Sequence, residues 1–143
     1  MTSFVYTYKT IINAPIDNVW SFFSSATNLS KITPFPKVEI ISDPRTITGN
    51  RIKMKLGYAG FNVRWISLIE DVQEPNRFVD TAVKLPFPFV EWSHIHTFTP
   101  NGNETIMQDQ VHLRSFLPSV FLKPLLNSMF KGREQAIRLH FLT

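Results

Sequence analysis

The 143-residue chain contains no cysteine, which removes disulfides, thiolate nucleophiles, zinc ribbons and iron–sulfur ligation from consideration. No apolar run approaches the roughly 20 residues of a membrane span. The opening Met1-Thr2-Ser3-Phe4 lacks the basic and apolar regions of a secretory leader. Charge of one sign is nowhere concentrated. The 15 basic and 11 acidic residues, net +4, lie scattered singly, unlike the blocks that grip phosphate backbones. Gly-rich phosphate loops, internal repeats and low-complexity tracts are also missing. The expectation is a soluble, cytoplasmic protein with no cofactor, no nucleic-acid partner and no membrane span.

Rings, in contrast, are plentiful: 13 Phe, 3 Trp and 3 Tyr. Large rings either fill thick cores or wall apolar pockets. The length suits one domain with a self-supporting core, so residues 1–143 are expected to fold as a single domain.

Phe4, Tyr6 and Tyr8 alternate with Val5, Thr7 and Lys9, which predicts a half-buried strand over Phe4–Ile12. Asn13-Ala14-Pro15 turns the chain, and Val19, Trp20, Phe22 and Phe23 give about two turns of amphipathic helix. A second brief helix is expected around Ala26 to Lys31. Pro34 and Pro36 then forbid helix, and Val38–Ile41 resumes an extended pattern. Strands follow over Arg51–Leu56, Val63–Asp71, Arg77–Val83, Glu91–Phe98 and Thr105–Leu113, joined by short polar turns such as Glu74-Pro75-Asn76.

One connection is different. Lys84–Val90 is apolar and stiffened by Pro86 and Pro88, so something should cover it, and it is expected to form a lip over an opening. After Pro118 the period becomes helical. Leu125, Leu126, Met129, Phe130, Ile137 and Phe141 lie on one stripe, and Pro124 opens the helix or kinks an earlier start. Gly132 inside that helix costs roughly 1 kcal/mol relative to Ala, which is consistent with a close backbone approach or with neutral drift. Seven antiparallel strands with segregated helices make an α+β arrangement.

This order resembles the START/polyketide-cyclase/birch-pollen-allergen-like (SRPBCC) superfamily. The likeness is carried by Ile12-Asn13-Ala14-Pro15 with Val19–Phe23, Asn28-Leu29 with Ile32-Thr33-Pro34, Trp65–Ile69, Phe78-Val79-Asp80, Trp92–Phe98 and Met107–Val111. It is strongest to the small bacterial stand-alone members. The resemblance implies a helix-grip fold: a curved antiparallel sheet of about seven strands wrapped around a long C-terminal helix, with two short helices after strand one. It also implies a cavity between sheet and helix for a lipid, polyketide or similar apolar molecule. Leu85-Pro86-Phe87-Pro88-Phe89 departs from the Gly-Pro-Phe often found there, which puts that loop's geometry in doubt.

Strand periodicity adds what the family name does not. Trp65 and Ser67 share one face, as do Phe78 and Asp80, Trp92, His94 and His96, and Met107 and Asp109. The large apolar members mark these faces as inward, so each strand carries a polar residue into the interior, where it must find a partner. Counting outward from the turns places Ser67 opposite Asp80, Asp80 opposite His94, and His94 opposite Asp109. That row either satisfies itself and specifies register, lies on a pocket floor and contacts a ligand, or catalyses. In the last case His94 with Asp80 or Asp109 is the general base of a cyclase or dehydratase.

A metal set of His94, His96 and Asp109 has no support in the family pattern, and none is expected. His112 falls on the opposite strand face, and His140 lies near the chain end. Arg133 either pairs with Asp80, Asp109 or an acidic ligand head, or snorkels to solvent, the commoner fate. The expected ligand contacts are Trp65, Ser67, Asp80, Trp92, His94, His96, Met107, Asp109, Met129 and Arg133, with Lys84–Val90 and Gly57–Phe61 as gates. The rival to a binder or an enzyme is a protein-interaction module, which would have a filled interior and a large exposed apolar patch. A monomer and a homodimer both fit.

Overall fold

A computed structural model describes residues 1–142, with Tyr58 described by its backbone alone. The elements run β1 (Thr2–Ile12), α1 (Ile16–Phe23), α2 (Thr27–Ile32), β2 (Lys37–Ile40), β3 (Arg51–Tyr58), β4 (Phe61–Gln73), β5 (Arg77–Lys84), β6 (Phe89–Asn101), β7 (Glu104–Ser115) and α3 (Ser119–His140). One antiparallel sheet orders them β1-β7-β6-β5-β4-β3-β2. Strands β2 to β7 form a meander, and α1 and α2 carry the chain from one sheet edge, β1, to the other, β2. The sheet curves around α3, which is the helix-grip arrangement. No helix among the described residues is long and apolar enough to cross a membrane.

Alternation explains the strands. Along β7 the residues Thr105, Met107, Asp109, Val111, Leu113 and Ser115 are buried, while every second neighbour faces outward. Two tyrosines of β1 reach α3 and fix its pitch against the sheet: Tyr6 donates to Asn127 at 2.7 Å and Tyr8 to Glu134 at 2.9 Å. The interior divides into an aromatic cluster around Trp20, Phe22, Phe23, Phe78 and Phe98, a second under α3 around Leu122, Leu126 and Phe130, and a third on β2 to β4 around Met54, Leu56 and Trp65.

Helix α3 starts before Pro124. The Phe121 and Leu122 amides both donate to the Pro118 carbonyl, so the first turn closes ahead of the proline. Pro124 then sits as the sixth helical residue and forgoes the bond to the Val120 carbonyl. The buried face reads Leu122, Leu126, Phe130, Arg133 and Ile137. Leu125 and Met129 are only half-buried.

Two of the three expected strand pairings shift by two residues. Asp80 lies opposite His94, as counted. Across β4 and β5, however, Ser67 faces Ala82 and Asp80 faces Ile69. Pairing there resumes immediately after the turn, at Gln73 and Arg77, and a register shift follows between Glu70 and Gln73, where Asp71 takes a positive φ of 49°. Asp tolerates that left-handed conformation, which a bulge exploits. Across β6 and β7, His94 faces Val111 and His96 faces Asp109. The turn is only Gly102-Asn103, with Gly102 at φ 63°, so the strands pair as far as Asn101 and Glu104.

Candidate functional site

The inward residues of β5, β6 and β7 converge beneath α3 into one buried polar cluster. His94 Nε2 lies 2.8 Å from Asp109 Oδ1 and His96 Nε2 lies 2.5 Å from Asp80 Oδ2. Each imidazole also sees the other carboxylate from a greater distance: His94 Nδ1 is 3.9 Å from Asp80 Oδ2, and His96 Nδ1 is 3.6 Å from Asp109 Oδ1. The two rings stack at 3.8 Å, with His96 resting on Phe78 at 4.1 Å. The shifted register produces this interlock: because His96, not His94, lies directly opposite Asp109, the His94–Asp109 bond runs diagonally. Diagonal neighbours remain within reach of long side chains.

Arg133 completes the cluster from above. It is 7% exposed, its Nη1 donates to Asp109 Oδ1 at 3.0 Å, and its guanidinium lies over the rings of Phe23 and Phe130 at 5.7 and 5.5 Å. The snorkelling expectation is therefore overturned, because a fully buried carboxylate at Asp109 supplies the partner that makes burial of the cation tolerable. Ser67 does not join the row. Its hydroxyl accepts from the Trp65 indole at 3.0 Å, since the register moves Asp80 away from it.

Charge states follow from these contacts. Burial works against the ionised form of Asp109, and Arg133 followed by His94 overcomes it, holding the carboxyl far below its ordinary range. Burial likewise opposes ionised Asp80, and the hydrogen bond from His96 leads the interactions that lower it. For His96, burial and then the neighbouring His94 push the pKa down to about 4. His96 is thus neutral near pH 7.

A cavity of about 210 Å³ opens between this cluster and α3. Trp65, Trp92, Phe89 and Phe130 supply ring walls, Leu125 and Met129 line it from the helix, and Ser67, Asp80, His94, His96 and Arg133 form its polar side. A smaller space of about 80 Å³ adjoins it and shares Ser67, Asp80, His96 and Arg133.

Eight of the ten expected contacts lie on the wall of the larger cavity. The other two lie behind it: Met107 packs with Trp20 and Phe98 in the aromatic cluster, and Asp109 sits beneath His94 and Arg133. Of the two expected gates, the Lys84–Val90 segment contributes Phe89, while Phe87, 81% exposed, stacks on Phe116. Of the Gly57–Phe61 turn, Gly57, Ala59, Gly60 and Phe61 do not line the cavity and Phe61 is 75% exposed, while the side chain of Tyr58 lies outside what the structure describes.

The segment after α2 takes the place of that turn: Thr33, Phe35 and Pro36 line the cavity. The signal for it was present, since Pro34-Phe35-Pro36 is as apolar and as proline-stiffened as Leu85–Phe89. Gly132 meets this segment and not the sheet; a Cβ placed there would lie 3.6 Å from Pro34 Cγ.

Asp80, His94 and His96 each offer a metal-ligand atom within 4.8 Å of one another. Imidazole lone pairs lie in the ring plane, and these planes are stacked only 23° apart. They do not converge on a point about 2.1 Å from both nitrogens, so an ion requires one ring to turn and abandon its carboxylate. The arrangement instead fits histidines oriented by carboxylates, each with its second nitrogen left over.

Residues 12–138 match the protein-family model described as "Polyketide cyclase / dehydrase and lipid transport". Among solved structures, a START superfamily protein from Mycobacterium smegmatis superposes with a TM-score of 0.76 at 13% identity, covering 97% of this chain and 99% of that one. Major latex-like protein 151 from Panax ginseng gives 0.76 at 13%, covering 100% of both. The protein XoxI from Bacillus cereus gives 0.74 at 13%, covering 96% and 95%. Identities this low establish shared fold alone. No curated protein matches the sequence.

Proposed function

Because this chain belongs to the polyketide cyclase/dehydrase and lipid transport family, we propose that it binds a small, largely apolar molecule between the curved sheet and α3. The observation that carries this reading is an unfilled interior of about 210 Å³ with ring walls and one polar side. Well-packed interiors leave few voids larger than a water molecule, and a site with apolar walls and a few convergent polar groups is the usual architecture of a ligand pocket. The cavity falls below the roughly 300–1,000 Å³ of drug-sized pockets, so a ligand of a few rings or a short chain suits it better than a two-chain lipid. An unfilled interior also counts against the interaction module, despite the exposed Phe87, Phe116 and Phe121.

A second reading rests on the His94–Asp109 contact. A carboxylate hydrogen-bonded to one imidazole nitrogen orients the ring and fixes which nitrogen carries the hydrogen, which is what a general base requires. With Asp80 also nearby, His94 is the residue on which a cyclase or dehydratase would depend. The test for binding is native mass spectrometry of freshly purified protein beside a denatured control. The binding reading expects a co-purifying adduct of small-molecule mass, or one formed on exposure to a panel of apolar compounds. No adduct under either condition would rule it out.

A further inference from the structure

The hydrogen-bond ledger of the cluster defines the polar end of the ligand, given the cavity reading above. Ionised carboxylates are acceptors only. Asp109 and Asp80 therefore require a hydrogen on the Nε2 atoms of His94 and His96, which contact them at 2.8 and 2.5 Å. A neutral ring with its hydrogen on Nε2 carries a lone pair on Nδ1. Neither Nδ1 has a hydrogen-bond partner among the described residues. The nearest carboxylate oxygens lie at 3.9 Å for His94 and 3.6 Å for His96, beyond hydrogen-bonding reach, and they are themselves acceptors.

Two buried donors are also unpaired, the Thr33 hydroxyl and Arg133 Nε, and both residues line the cavity. Unpaired buried polar atoms are costly, and a bound molecule that satisfies them gains the difference. The formal charges of Asp80, Asp109 and Arg133 leave one negative charge in excess, with Arg133 already committed to Asp109.

We infer that the ligand ends in an uncharged hydroxyl, a phenol or an alcohol, which donates to His94 Nδ1, and that carboxylate-headed molecules such as fatty acids are rejected. A neutral hydroxyl supplies the one hydrogen that the imidazole lone pair lacks and brings no charge into the cluster. A carboxylate brings no hydrogen for Nδ1. It would also be desolvated beside Asp80, where like charge opposes it. A methyl group at the same position leaves every one of these atoms unpaired.

The test is isothermal titration calorimetry of the wild-type protein at neutral pH with three matched two-ring probes: 2-naphthol, 2-methylnaphthalene and 2-naphthoate. We expect 2-naphthol to bind about tenfold or more tightly than either of the others, the worth of one to two hydrogen bonds. His94→Leu should bring 2-naphthol down to the affinity of 2-methylnaphthalene. A 15N spectrum of the wild-type imidazoles gives a second readout: the lone-pair Nδ1 resonance should move with 2-naphthol and stay with 2-methylnaphthalene. Tightest binding of 2-naphthoate, or equal binding of 2-naphthol and 2-methylnaphthalene, overturns the inference while leaving the cavity reading intact. Failure of all three probes overturns the cavity reading and the inference together.

Discussion

Replacing Arg133 by Met tests the buried cluster most directly. The change keeps an unbranched apolar stem between Phe23 and Phe130 and removes the charge together with its hydrogen bond to Asp109. At the 3.0 Å separation from Asp109, Coulomb attraction is worth about 5 kcal/mol with an effective dielectric constant near 20. Desolvation of the pair offsets much of that, but truncating one partner leaves the other charge buried and unpaired, which costs about 3–5 kcal/mol. For a domain of this size that corresponds to a fall in Tm on the order of 10 °C.

Urea unfolding measures the loss through the midpoint, with the slope m as a check that the folded state stays compact. The diagnostic variant is Arg133→Met combined with Asp109→Asn. Asn still accepts from His94 and carries no charge, so the double variant should recover to within about 2 kcal/mol of wild type. In the single variant the deficit should shrink as acid protonates Asp109. A loss under about 1 kcal/mol, or a double variant that loses the sum of the two single losses, would refute the account of a charge-paired cluster.

Further expectations concern pH, helix stability and the cavity. With His96 held down to about 4 against about 6.5 in the unfolded chain, the unfolded state takes up a proton that the folded state refuses, so stability rises by about 3 kcal/mol as pH climbs through that window. His96→Gln should flatten this slope in urea titrations between pH 4 and about 6.5, and an unchanged slope would assign it elsewhere. Asp80 and Asp109, both lowered, contribute stability above the ordinary carboxylate range and lose it on further acidification. Gly132→Ala should raise stability by about 1 kcal/mol, because the added methyl meets Pro34 at an ordinary 3.6 Å; a lowered urea midpoint would mean that the Pro34 segment cannot accommodate it. Met129→Trp should fill the cavity and abolish 2-naphthol binding in calorimetry with Tm nearly kept, whereas undiminished binding would place the ligand elsewhere.

The legible part of this molecule was the part written in local periodicity. Alternation along β1 and β7 and the aromatic stripe of α1 depend on neighbouring residues alone, as does the inward placement of Ser67, Asp80, His94, His96 and Asp109. Register is different, since it depends on where each turn closes. The β5–β6 pairing came out as counted, but across β4 and β5 the closing of the turn at Gln73 and Arg77, together with the one-residue bulge at Asp71, moved the pairing by two positions, as did the two-residue turn at Gly102-Asn103 across β6 and β7. The inward faces survived because a shift of two preserves the side of the sheet, while the partners changed: Asp80 exchanged Ser67 for His96. The burial of Arg133 was unreadable for a related reason. A helix position tells which way a residue faces, but only the assembled sheet reveals that Asp109 waits beneath it. The wall formed by Thr33, Phe35 and Pro36 likewise depends on how the connection after α2 folds back against α3.

Trp65 and Trp92 meet edge to face at 5.4 Å and 88° on the cavity wall, while Trp20 is held apart, edge-on to Phe78 and Phe98. Two indoles this close share their excited states, and the resulting circular dichroism couplet depends steeply on the angle and distance between them. A molecule entering the cavity presses on that pair and leaves Trp20 untouched. Under the binding reading, the pair is therefore a built-in optical gauge of cavity occupancy, with Trp20 as an internal reference that requires no label.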